Sequence, residues 1–196
     1  MESDIEMPCP ICSATGELKM ISHVDEIPYF GEHTQVTILC GSCGWRQTDF
    51  IPAEGRKPGA CSILLDGEDV LSARIVRSSS CTVRIPELDL EVKPGTGSSG
   101  YVSNVEGVLN RFIEVVDMVA RDLADDDLHE DLQRCMQVKS ALQELKEGSS
   151  RNVTLELLDP RGHSQILHAD AVNRELSESE LAELPLGPDP PVLDGH

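Results

Sequence analysis

The chain has 196 residues, room for one large domain or two small ones, and its 39% apolar residues are enough to build a core. With 16 Lys and Arg against 35 Asp and Glu, its formal net charge is −19, a field that repels a phosphate backbone and attracts a basic protein partner. No basic stretch precedes an apolar run, and no segment approaches the roughly eighteen apolar residues of a membrane span, so a soluble, cytoplasmic protein is expected.

Residues 1–8 show no periodicity, and Pro8 leads into Cys9-Pro10-Ile11-Cys12. A second pair, Cys40-Gly41-Ser42-Cys43, follows after residues 13–39. Each C-x2-C pair bends tightly enough to offer two thiolates to adjacent corners of one tetrahedron, so Cys9, Cys12, Cys40 and Cys43 are expected to bind one structural Zn2+. Four thiolates close the coordination shell and leave no position for a reactive water. Between the pairs, Leu18 to Val24 reads as a strand, Gln35 to Leu39 as its antiparallel return, and 25–32 as the connection. That connection contains Ile27-Pro28-Tyr29-Phe30, an apolar run flanked by Asp25, Glu26 and Glu32. Such a run either folds back over the small ribbon core or forms a patch for a protein partner; Ile27, Pro28, Tyr29 and Phe30 are therefore candidate partner-binding residues. The zinc ribbon is expected over 1–52.

Residues 53–60, with Pro58, Gly55 and Gly59, read as a linker. A β domain is expected over 61–176: strands at Cys61–Leu65, Leu71–Val76 and Cys81–Ile85, alternation through Leu88, Leu90 and Val92, and a turn-rich connection from Pro94 to Gly100. A helical hairpin follows at 103–147. Ser103 with Glu106 fits a capping box, and Val105, Val108, Leu109, Phe112, Val116, Val119, Ala120 and Leu123 recur at helical spacing. The acidic run 125–127 should break this helix and cap the next, whose apolar side is Leu128, Leu132, Cys135, Met136, Leu142 and Leu145, ended by Gly148. Strand period returns at Val153, Leu155 and Leu157, followed by the turn Asp159-Pro160-Arg161-Gly162 and a strand at Gln165–Leu167. The tail 177–196 is acidic, then proline-rich, and is expected to be poorly ordered at its end. Cys61, Cys81 and Cys135 read as buried free thiols.

Several of these stretches resemble one family, the ZPR-type zinc-finger proteins. They are C-P-I-C with C-G-S-C-G-W-R (Cys40 to Arg46), I-P-Y-F (Ile27 to Phe30), V-R-S-S-S-C-T-V-R-I-P-E-L (Val76 to Leu88), V-E-G (Val105 to Gly107) and D-P-R-G-H-S (Asp159 to Ser164), in family order over nearly the whole chain. His163 stands where the family usually has Asn, and Val102-Ser103-Asn104 replaces the usual threonines before V-E-G. One ribbon and one β domain resemble the single-module, archaeal form. The resemblance implies a mostly β fold: a four-cysteine zinc ribbon, then a double-stranded β-helix, or jelly roll, with an inserted helical hairpin. It also implies binding of translation elongation factor one-alpha, with a chaperone-like role in its folding.

Two other functions were weighed on the residues. A nucleic-acid or transcription-associated ribbon needs clustered cations, and residues 1–50 contain only Lys19 and Arg46. A jelly-roll metalloenzyme needs a ligand constellation, and His23, His33, His129, His163, His168 and His196 show neither H-x-H nor H-E-x-x-H. Asp159, Ser164 and Glu106 are explained by a turn, a turn hydroxyl and a helix cap. The expectation is a non-enzymatic binding protein.

Overall fold

A computed structural model describes residues 1–54, 56–125, 128–149 and 152–187. The N-terminal sheet has the order β1-β2-β3-β4, formed by β1 (Glu2–Ile5), β2 (Leu18–Ile27), β3 (Gly31–Cys40) and β4 (Arg46–Pro52). Strand β1 was not anticipated. It is four residues long and mostly polar, and it is held by pairing Glu2 to Ile5 with Ile21 to Leu18, while Ile5 packs beside the cysteines. Strands β2 and β3 also run further than expected. Their register continues through Asp25↔His33 to Ile27↔Gly31, so the connection shrinks from 25–32 to Pro28, Tyr29 and Phe30. The charged side chains at 25, 26 and 32 are exposed, which lets the backbone continue its ladder without burying a charge.

The rest of the described chain forms two sheets around one core. The larger has the order β12-β5-β10-β7-β8, and the smaller β11-β6-β9. Their strands are β5 (Gly59–Leu64), β6 (Arg74–Arg77), β7 (Thr82–Ile85), β8 (Leu90–Val92), β9 (Tyr101–Asn104), β10 (Thr154–Asp159), β11 (Gln165–Leu167) and β12 (Val172–Glu175). Cys61 and Ile63 of β5, Val83 and Ile85 of β7, and Leu155 and Leu157 of β10 meet Ile75 of β6 and Ile166 of β11 in one buried cluster. Two sheets that share a core in this way make the jelly roll. The strand expected at Leu71–Val76 begins later, because Asp69–Ser72 turns as a 3-10 helix that buries Val70.

Helices α1 (Val105–Asp125) and α2 (His129–Lys146) form the hairpin between β9 and β10. Asn104, one residue after the expected Ser103, caps α1: its Oδ1 accepts the Gly107 N–H at 2.8 Å. A Cβ at Gly107 would lie 2.2 Å from Ser103 Oγ, so a side chain there would require the Ser103 hydroxyl to turn away. Val105, Val108, Leu109, Phe112 and Val116 of α1 enter the shared core, but from α2 only Leu142 and Leu145 do so fully. The expected apolar side of α2 is thus only half used: Leu128 and Met136 are exposed. Of the acidic run 125–127, residues 126 and 127 lie outside the described residues, and α2 starts from Leu128 with no side-chain cap. Gly148, with φ +78°, ends α2 as expected.

Part of the expected tail is built onto the jelly roll. Ser177 and Glu180 form a capping box for α3 (Glu178–Glu183), and Leu181 and Leu184 pack on Ala60, Leu158 and Leu176. The poorly ordered end expected near residue 196 falls in 188–196, outside the described residues. Cys61 and Cys81 are buried, and Cys135 is half-buried. Burial pushes both buried thiols up, Cys81 to about 12.

Candidate metal centre and its seam with the jelly roll

The two C-x2-C turns are shaped by their own backbone. In the first, Ser13 N–H donates to Cys9 O at 2.8 Å and Cys9 N–H to Ala14 O at 2.9 Å. In the second, Gly44 N–H donates to Cys40 O at 2.9 Å, and Gly44 takes the left-handed φ of +73° that a side chain would resist. Cys9 and Cys40 are buried under Leu18, Ile5, Ile38 and Trp45, while Cys12 and Cys43 lie at the surface. One atom from each cysteine falls within 4.8 Å of all the others.

The sulfur spacing fits Zn2+. Cys9 Sγ lies 3.7 Å from Cys43 Sγ, and Cys12 Sγ 3.8 Å from Cys40 Sγ. A tetrahedron with Zn–S bonds of about 2.3 Å has sulfur–sulfur edges of about 3.8 Å. Without a cation Cys9 and Cys43 are driven in opposite directions. Burial pushes the Cys9 thiol up, but hydrogen bonds from the Cys12 and Ile11 backbone and from neighbouring thiols bring it down to about 7. Cys43 is favoured as a thiolate by the Trp45 backbone, yet burial and the other three cysteines push it up to about 12. A divalent ion at the centre removes that conflict. Bound there by four thiolates, zinc would hold the two turns together and have no open coordination position.

The structure divides the apolar run between the strands. Ile27 and Phe30 are buried, packed on Phe50 of β4 and Val76 of β6, so they join the ribbon to the jelly roll. Pro28 and Tyr29 are exposed, and Tyr29 is 79% accessible with φ +72°. The turn explains the split: strand ends at Ile27 and Gly31 leave three residues between them, Pro28 and Tyr29 point outward, and the Phe30 N–H returns to Ile27 O at 2.9 Å.

A polar seam runs alongside. Asp49 of β4 accepts from the Ser79 backbone at 2.8 Å and from its hydroxyl at 2.6 Å. Thr48 N–H donates to Ser99 Oγ at 3.2 Å, and Gly100 N–H to Thr48 O at 2.7 Å. Behind it, Asp159 is 1% exposed and accepts from the hydroxyls of Ser78, Ser80 and Ser164, each at 2.7 Å, and from the backbone of Arg161 and His163. Burial alone would raise this carboxyl, but the donors outweigh it and hold it below the usual carboxylate range. Asp159 and Ser164 are therefore brought together, whereas Glu106 is exposed on α1 and takes no part. Nothing local in the sequence pairs S-S-S (Ser78 to Ser80) with D-P-R-G-H-S (Asp159 to Ser164); three hydroxyls just before a buried strand are the available signal.

Comparison with known proteins bears on the whole arrangement. A family model described as the ZPR1 jelly-roll domain matches residues 69–183. The chain belongs to the ZPR1 family. A ZPR1-like protein of Methanocaldococcus jannaschii is 37% identical over 187 residues, covering 95% of this chain and 92% of its own. One of Pyrococcus horikoshii is 37% identical over 181 residues, covering 92% and 80%. The zinc finger chaperone zpr1 of Schizosaccharomyces pombe is 31% identical over 164 residues, which is 81% of this chain but 34% of that longer protein. The relatives of Drosophila melanogaster and Schizosaccharomyces pombe carry zinc-finger names, in keeping with the four-cysteine cluster found here.

Proposed function

We propose that this ZPR1-family chain is a protein-interaction module of the cytoplasm, held by one structural Zn2+, that binds translation elongation factor one-alpha and assists its folding or regulation. The observation that carries the reading is the closed four-sulfur centre, which shapes a surface and offers no open position for catalysis. The chaperone name of the Schizosaccharomyces pombe relative supports a protein-binding role. A nucleic-acid role has less to rest on, since Lys19 is already paired with Glu2 at 3.0 Å.

Within the candidate contact Ile27, Pro28, Tyr29 and Phe30, the difference in burial supports a division of roles. Ile27 and Phe30 anchor the turn, and Pro28 with Tyr29 meets the partner. An exposed aromatic on a stiff turn, rimmed by Asp25, Glu26 and Glu32, has the make-up of an interface hot spot. Binding kinetics with purified elongation factor one-alpha test this. Tyr29→Ala should speed dissociation about tenfold or more without changing the melting temperature. Higher salt should mainly slow association. Wild-type dissociation in the folded variant would move the contact elsewhere.

A further inference from the structure

Helix α1, strand β8 and loop 94–100 enclose a groove of about 440 Å3 whose walls differ from the rest of this acidic chain. One wall is apolar, with Val92, Phe112 and Val115. The other is positively charged, and Arg77 is its decisive member. Arg77 is 6% exposed, and its hydrogen bonds go to neutral oxygens: Ser98 Oγ at 2.9 Å, Ser99 O at 3.0 Å and Cys81 O at 2.7 Å. Its Nε has no partner, and no carboxylate pairs with it among the described residues. A guanidinium this deeply buried ordinarily has a counter-charge.

Arg111 adds a second unmatched cation. Its guanidinium carbon lies 4.1 Å from the centroid of the Tyr101 ring, which Arg77 also approaches at 5.7 Å. Among the described residues Arg111 forms no ion pair. Lys93, also on the groove, is shared with Glu91 at 3.2 Å. In the basic recess near Arg56, two of the three cations are paired, Lys57 with Glu175 at 2.9 Å and Arg174 with Glu180 at 2.7 Å, and its lining includes no apolar side chain as large as valine. The groove at α1 sets Arg77 and Arg111, without an acid partner among the described residues, beside an apolar wall.

We propose that this groove binds an extended peptide segment of another protein that carries a carboxylate next to an apolar side chain. The carboxylate answers the unpaired charge of Arg77 and Arg111, and the apolar neighbour covers the exposed Val92 and Val115. Ser98 accepts from Arg77 and keeps its own proton to donate to the ligand. Strand β8 is the outer strand of its sheet, so one side of its backbone is open to an added chain. The site is separate from the turn at Tyr29 and does not depend on which partner binds there.

The test is an amide NMR titration of the full chain with acetyl-Leu-Glu-Phe-Glu-Leu-amide and with its glutamine counterpart. The acidic peptide should give saturable shifts at Gly95, Gly97, Ser98, Tyr101 and Arg111, and the glutamine form should bind about tenfold more weakly. Arg111→Gln should weaken the acidic peptide about tenfold with unchanged melting, while Arg134→Gln, outside the groove, should have no effect. Equal affinity for the two peptides, shifts scattered over the surface, or no saturation by about 10 mM would overturn the proposal. A third arm uses phenyl phosphate and phenylacetate. Saturation by phenyl phosphate at tenfold lower concentration than phenylacetate would reassign the groove to a phosphate ester and also overturn it.

Discussion

Asp49 grips Ser79 with both carboxylate oxygens, at 2.8 Å to the backbone N–H and 2.6 Å to the hydroxyl, and so ties the last ribbon strand to the jelly roll. Charge-assisted hydrogen bonds of this kind contribute about 1.5–3 kcal/mol each when a partner is removed. Asp49→Ala should therefore lower stability by about 2–4 kcal/mol and loosen the seam. Calorimetry should show the single transition broadening or splitting, and limited proteolysis should cut first within 53–58. A variant as cooperative as wild type would mean that Ile27, Phe30 and Val76 hold the seam by themselves.

Metal analysis of the purified protein should give close to one zinc per chain, and Cys40→Ser should lose it. Structural zinc contributes roughly 10–16 kcal/mol in small zinc modules, far more than the few apolar side chains around Cys9 and Cys40 supply. Chelation should erase amide protection in β1 to β4 while leaving β5 and β10 protected.

Phe112 is 3% exposed within the shared core, and Phe30 is 7% exposed in the small cluster at the seam. Deleting a buried aromatic costs about 3–5 kcal/mol, less where the site can collapse. Phe112→Ala should therefore lower the denaturation midpoint more than Phe30→Ala, and both should exceed Tyr29→Ala. Equal loss at Phe30 and Tyr29 would contradict the burial pattern of the turn.

Acid should act on stability in two steps. Burial holds His163 below its ordinary value against the opposing pull of Asp159 and Asp49, so its folded form resists the proton that the unfolded chain accepts. Its contribution is complete above about pH 6.5 and erodes as pH falls through that value. Asp159 is also depressed when folded, so its contribution holds above about pH 3.9 and disappears as pH falls through the folded value. Melting temperatures should be flat near neutrality, fall first below about pH 6.5 and fall again in stronger acid. His163→Asn should abolish the first step and keep the second.

The metal site was legible because its chemistry is local: two residues between thiols set the turn, and the pairing of the turns needs only one intervening hairpin. The helical hairpin was legible in α1, where Val105 to Val116 repeat on one face, and less so in α2, where Leu128 and Met136 keep helical spacing but stay exposed. Periodicity reports which face is apolar, not whether a surface exists to receive it. Strand β1 stayed hidden because its pairing with β2 is a backbone matter, with acids at Glu2 and Asp4 masking the alternation. The seam was invisible for a different reason. Asp49 and Ser79 each look like a surface residue until β4 is laid against the loop before Cys81.

Strand β5 has a particular position in time as well as in space. Its neighbours in the sheet are β10 and β12, with Gly59 opposite both Asp159 and Glu175, so both partners leave the ribosome only after the helical hairpin. Until then Cys61 and Ile63, buried in the finished molecule, have no strand to pair with. The ribbon, by contrast, pairs only with its sequence neighbours and can close as soon as its second cysteine pair emerges. Loop closure of this range makes the jelly roll the slow phase of folding and leaves an unpaired apolar strand as its aggregation hazard. A preformed ribbon beside β5, joined through residues 53–58, shortens the search by presenting Asp49 to Ser79 before the last strands arrive.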